Sequence, residues 1–132
     1  MPNYKFGKES RDILATLDPR LQQLCKVTIT RIDIKLLSGY RGKEEQNQLF
    51  REGASTKKFP NSKHNVSPSL AVDLAPYPVD WDDRDRFILV AGMIFAFAWS
   101  QGIPIRWGGD WNMNDVVKDE KFQDLGHFEL ML

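Results

Sequence analysis

Residues 87–99 read FILVAGMIFAFAW, thirteen positions without a charge. A run of that kind has to be buried. It is too short to span a bilayer and too long for an ordinary strand. The acidic and basic cluster before it (DDRDR, 82–86) offers Asp82 or Asp83 as a helix start, and Gly102 offers a stop. The expectation is a central core helix, apolar all round, against which everything else packs. A chain of 132 residues is long enough to bury such a core as one domain, 1–132, without disulfide staples. The lone cysteine, Cys25, cannot form an internal disulfide and reads as a small buried hydrophobe rather than a reactive thiol.

Around that helix the chain alternates short elements without repeats, low-complexity tracts or linkers. Asp18-Pro19 is a helix start, with Leu21, Leu24, Cys25 and Thr28 at helical spacing, running into the VTITRI segment. Residues 33–38 (DIKLLS) read as a strand stopped by Gly39, and 43–51 as a helix followed by Gly53. Residues 54–68 are polar, with prolines at 60 and 68, and predict a loop. A strand through Asp73 ends at Pro76 and Pro78. Residues 103–107 predict a strand, Gly108-Gly109 a turn, 112–123 a polar excursion, and 127–130 (HFEL) a closing strand. This mixture lacks a regular βαβ rhythm, so the predicted class is α+β, a small antiparallel sheet flanked by helices.

Charge excludes some partners. Eighteen basic and eighteen acidic side chains cancel, which argues against nucleic acid as a ligand. The N-terminus MPNYKFGKESRD has no apolar stretch behind a basic start, so no secretory signal and no stable membrane insertion are expected. The chain is expected to be made in the cytoplasm and to be soluble there, wherever it acts.

The chemistry gathers around Asp73, a carboxylate inside the apolar run Leu70-Ala71-Val72-Asp73-Leu74-Ala75. A buried charge needs a partner, and a metal ion is one. Alternation puts Asp73 on a strand face with Ala71 and Ala75, two small neighbours that leave space beside it. The closing strand places His127 and Glu129 together on one face, and Asp124 precedes His127 by three residues. His64, the other histidine, lies in the loop leading to the Asp73 strand. Two imidazoles and one carboxylate suit zinc, which in catalytic sites takes three nitrogen and oxygen ligands and keeps a position for water. The ion lowers the pKa of that water towards about 7, and a nearby carboxylate accepts the proton and hands it to the leaving amine. Asp124 is placed for that role.

Ser62-Lys63-His64, then Ala71-Val72-Asp73, then Asp124-Leu125-Gly126-His127 resemble the S-x-H…D…D-x-x-H pattern of the LAS-type zinc peptidases, relatives of the D-alanyl-D-alanine carboxypeptidases and the hedgehog domain. SGYR (38–41) with Gln46 and Leu49, AVDLAPYP (71–78) and WGGDW (107–111) are similar to the phage endolysin branch, the L-alanyl-D-glutamate peptidases. The similarity runs in family order from about residue 34 to 130. One departure stands out: eight residues, Asn65 to Val72, separate His64 from Asp73, where family members commonly have six. A turn at Pro68 is the expected way to absorb them.

The resemblance implies a hedgehog- or D-Ala-D-Ala-peptidase-like single domain in which His64, Asp73 and His127 hold one Zn²⁺ and Asp124 is the base. An aspartate in that place favours cleavage of the L-alanyl-D-glutamate bond of the peptidoglycan stem peptide. It also implies an endolysin, a monomer, that reaches the periplasm and cell wall through a holin-type protein. Arg41 has two readings, stabilising the oxyanion that develops on the substrate carbonyl or forming a structural ion pair. Gln46, on the inward face of its helix, either orients substrate or braces the loop below. Ser62 hydrogen-bonds a ligand or substrate, or makes a local turn bond. Glu129 accepts a bond from a histidine ring or, as expected here, lies exposed at the chain end. Trp107 and Trp111 belong to the core or to a cleft wall. The acidic residues Asp80, Asp82, Asp83 and Asp85 read as helix-start chemistry, with a calcium site as the other reading. The rival functions are a D,D-carboxypeptidase, a non-catalytic zinc-containing binding module and, most distantly, a metal-dependent nuclease.

Overall fold

A computed structural model describes residues 4–118 and 123–131. Four helices and four strands follow in the order α1 (Lys8–Leu14), α2 (Pro19–Ile29), β1 (Ile34–Ser38), α3 (Lys43–Arg51), β2 (Ala71–Pro76), α4 (Arg84–Gln101), β3 (Ile105–Trp107) and β4 (His127–Leu130). A 3₁₀ turn at Lys63–Asn65 interrupts the long loop before β2. The local signals explain most boundaries. Asp18 caps α2 by accepting the Arg20 N–H, and Pro19 opens the helix. Asp83 accepts the Arg86 N–H at the start of α4, and Gly102 closes it at φ 67°. This is the helix-start role expected for that acidic segment.

The strands form one antiparallel sheet in the order β1-β2-β4-β3. Val72, Leu74, Phe128, Leu130, Ile105 and Trp107 are buried and join α2 and α4 in the main core. With a side-chain period of two, the opposite face carries Asp73, His127 and Glu129. The α+β class and the small antiparallel sheet are as expected.

Three expectations need correction. The N-terminal segment, read only for its lack of a signal, contains α1; seven largely polar residues are too few to show a helical period. Strand β3 is shorter than residues 103–107 and begins at Ile105. Helix α4 is not buried all round. Phe87, Val90, Ala91, Ile94 and Ala98 face inward, whereas Leu89 is 53% and Trp99 71% exposed. A four-stranded sheet covers one side of a helix, so the far side stays in solvent whatever its sequence. Among the described residues no helix is long and apolar enough to cross a membrane.

The extra length between His64 and Asp73 is strapped to the α1–α2 connection. The Ser69 N–H donates to the Thr16 carbonyl, and the Asp18 N–H donates to that of Ser69. The polar excursion begins folded on Asp110, whose carboxylate accepts the backbone N–H groups of Asn114 and Asp115. Residues 119–122 of that excursion lie outside the described residues.

Candidate active site

Sheet register assembles the site. Asp73 on β2 sits directly opposite His127 on β4, and on its other side opposite Ser38 of β1, where a bulge shifts the pairing. One row further along, Glu129 sits between Ala71 and Arg106. His64 arrives from the 3₁₀ turn, which Ser62 caps by accepting the His64 N–H while the Ser62 N–H donates to Asn65. One ligand atom each from His64, Asp73 and His127 lie within 4.8 Å of one another.

The two imidazoles are held differently. His64 Nδ1 lies 2.7 Å from the Gly39 carbonyl oxygen, which only accepts, so Nδ1 carries the proton and Nε2 presents a lone pair. That Nε2 is buried, faces Asp73 Oδ2 at 3.4 Å and has no hydrogen-bond partner among the described residues. Glycine is needed at 39 because a β-carbon there would run into the Thr16 hydroxyl and the Leu17 side chain. His127 is bracketed by carboxylates, Nδ1 at 2.9 Å from Asp73 Oδ1 and Nε2 at 2.9 Å from Glu129 Oε1. An orphaned buried imidazole nitrogen aimed at a carboxylate and a second imidazole fits a divalent cation with nitrogen and oxygen ligands.

Electrostatics at the site follow from the same contacts. Burial would raise the pKa of Asp73, but the hydrogen bond from His127 and the positive charge around the carboxylate outweigh it and hold the group well below the carboxylate range. Burial would lower His127, but its bonds to Asp73 and Glu129 raise it to about 9. Asp124 behaves in the opposite way to Asp73. Burial, with the Asp73 charge nearby, raises its pKa. It makes no ion pair among the described residues and lines, with the three clustered residues, a cleft of about 280 Å³. The Asp124 N–H donates to the Gly108 carbonyl, and a β-carbon on Gly108 would collide with the Asp124 carbonyl oxygen. The Gly-Gly turn is thus the seat of the Asp124 backbone.

The remaining candidates fall into place around this cleft. Arg41 donates from Nη2 to Asp73 Oδ2 at 2.6 Å and from Nε to Ser38 Oγ at 2.9 Å. It therefore forms the ion pair of its second reading while lining the cleft. Gln46 is fully buried. Its Nε2 donates to Ser55 Oγ and to the Lys57 carbonyl at 3.0 and 2.7 Å, and its Oε1 accepts from Asn65 at 3.3 Å. Ser62 makes the local turn bond and also lines the cleft. Trp107 is core, its Nε1 donating to the Leu125 carbonyl, whereas Trp111 stands on the cleft wall 5.2 Å from the His127 ring.

The expectation for Glu129 is overturned. It is 3% exposed rather than a chain-end surface residue, and it binds His127, Arg106 and Lys63. Nothing in the local spacing marks Arg106 or Lys63 as a partner of Glu129. The available signal is alternation across strands, since Arg106 between Ile105 and Trp107 has the same phase on β3 that Glu129 has on β4.

An antiparallel sheet bearing a His–Asp–His cluster at the floor of a cleft, with a separate carboxylate beside it, has the make-up of an open metallohydrolase site. Residues 2–131 match the family described as phage L-alanyl-D-glutamate peptidase, and the chain belongs to that family. It is 31% identical to the L-alanyl-D-glutamate peptidase of Escherichia phage T5 over 137 residues, covering 98% of this chain and 99% of that one. Its fold is similar to the crystal structure of the Serratia marcescens L-Ala D-Glu endopeptidase ChiX. The TM-score is 0.76 at 23% identity, over 96% of this chain and 90% of that one.

Proposed function

We propose that this chain is a zinc-dependent endolysin that hydrolyses the L-alanyl-D-glutamate bond of the peptidoglycan stem peptide. It is a peptidase of the bacterial cell wall by family. The observation that carries the metal reading is the orphaned Nε2 of His64, aimed at Asp73 and near His127. Three nitrogen and oxygen donors match the open catalytic set of zinc better than a closed structural set of four. Zinc held by His64, Asp73 and His127 would lower the pKa of a water and polarise the scissile carbonyl.

The chain's own residues do the rest. Asp124, its pKa raised by burial and the nearby Asp73 charge, takes the proton of the attacking water and delivers it to the departing D-glutamate nitrogen. Arg41, anchored by Asp73 and Ser38, holds a fixed positive charge at the cleft, where it favours the oxyanion that develops on the substrate carbonyl. Ser62 shapes the turn that presents His64 and borders the substrate cleft. Gln46 serves the brace reading, since both its donor hydrogens are used on residues 55 and 57. The same proposal has residues 1–132 acting as one catalytic domain, a monomer, reaching the wall after a holin-type protein has permeabilised the membrane.

Elemental analysis of the purified protein together with mass spectrometry of digested muropeptides tests this. One equivalent of zinc and a newly exposed D-glutamate amine are expected. Release of free D-alanine would replace the reading with a D,D-carboxypeptidase, and intact muropeptides would end it.

A further inference from the structure

We propose that Glu129 is the positioning residue of the metal centre, fixing the His127 ring so that Nδ1 points at the cation and tying the two histidine ligands together. The inference rests on the metal-site reading above. Glu129 lies two residues beyond His127 on the same strand face, opposite Ala71, whose single methyl leaves room for the longer side chain. Its Oε1 is 2.9 Å from His127 Nε2. A carboxylate only accepts, so Glu129 keeps a proton on Nε2, and Nδ1, on the Asp73 side, is the nitrogen that would give up its proton to a cation. Glu129 itself is outside the convergent His–Asp–His cluster, so it acts through the ring and not as a ligand.

The carboxylate is in turn immobilised. Its Oε2 accepts from Arg106 Nη2 at 2.9 Å and lies 3.3 Å from Lys63 Nζ. Lys63 also donates to the Leu130 carbonyl, and it is the residue before His64. Glu129 thus reaches His127 directly and the His64 turn through Lys63. The Arg106 guanidinium stands 5.3 Å over the Trp111 ring, which packs 5.2 Å from His127. One edge of the imidazole is therefore set by Glu129 and one face by Trp111. Ion clusters this buried contribute little net stability over an apolar replacement, and holding a ligand in one orientation is a use that justifies them.

The test compares the full-length wild-type chain with Glu129→Ala and Glu129→Gln, stripped by chelator and titrated with zinc alone. Affinity is read by competition with a chromophoric chelator, and histidine tautomers by long-range ¹H–¹⁵N NMR. In the zinc-loaded wild type, His127 should be protonated on Nε2 with slow solvent exchange. Glu129→Ala should lower zinc affinity by about 10- to 100-fold and abolish that slow exchange, with Glu129→Gln recovering most of both because its amide oxygen still accepts. A folded Glu129→Ala with wild-type zinc affinity and an unchanged His127 would overturn the inference and leave the metal site standing. If Glu129→Ala does not fold, the wild-type spectrum decides alone, since metal on Nε2 or rapid exchange of its proton refutes the role. A wild type that takes up no zinc removes the metal-site reading, and this inference with it.

Discussion

Asp73 and His127, 54 residues apart, face each other across β2 and β4 with Oδ1 and Nδ1 2.9 Å apart. Directly opposed residues on antiparallel strands bring their β-carbons to about 5 Å, and a slip of one residue would turn either side chain into the core. Sheet register is therefore what builds the site. Replacing Asp73 by alanine removes one of three donors and leaves the Arg41 guanidinium without its carboxylate. Zinc affinity should fall by more than about 100-fold, and unfolding in urea should show a loss on the order of 3 kcal/mol. Undiminished zinc uptake would take Asp73 out of the ligand set.

Asp124→Asn should separate binding from chemistry. The side chain is not one of the three clustered residues, so zinc content measured by mass spectrometry should stay at one equivalent. Release of muropeptide products should drop by about 10²- to 10⁴-fold, the usual contribution of a positioned acid or base. Full activity with zinc bound would show that the proton goes elsewhere.

Gly108→Ala probes the seat of that base. A β-carbon there strikes the Asp124 carbonyl oxygen, so the 108–109 turn must move, at about 1–3 kcal/mol. Turnover should fall further than zinc affinity does, because the β-carbon strikes Asp124 directly, whereas His127 meets the turn only through the Gly108 N–H bond to its carbonyl oxygen. Equal losses of the two would mean that the whole sheet edge has shifted.

Gln46→Ala strips two hydrogen bonds from the 54–58 loop beside the cleft. The partners left behind cost about 1–3 kcal/mol if they stay buried. Limited proteolysis should cut that loop faster, and KM should rise more than kcat falls. An unchanged cleavage rate would mean that the loop is held by something else.

Stability in chelator-treated protein should have a limb on each side of neutrality. Burial raises Glu129, but the bond from His127 and the charges of His127 and Arg106 prevail and hold it down at about 2, against 4.5 for a free side chain. A depressed carboxylate stabilises the fold above its unfolded pKa, so that contribution disappears as pH falls from 4.5 towards about 2. His127 is raised from 6.5 to about 9, so its contribution is complete below 6.5 and is lost as pH rises to about 9. Calorimetry should therefore find the highest Tm between these ranges. A Tm that keeps rising from pH 6.5 to 9 would contradict the His127 contacts.

The local sequence determined the elements whose signals are local. Asp18-Pro19 at α2, Asp83 and Gly102 around α4, and Gly53 beyond α3 act within one turn of the backbone, which is why those ends are legible without a partner. Strand alternation likewise places His127 and Glu129 on one face without reference to any partner strand. Only the tertiary structure decided that Arg41 pairs with Asp73, that Gln46 braces residues 55 and 57, and that Glu129 is enclosed by Arg106 and Lys63. It also decided that Leu89 and Trp99 face solvent from an apolar helix. Burial and pairing depend on which elements end up side by side, and nothing in the spacing of a short strand or an apolar run carries that information.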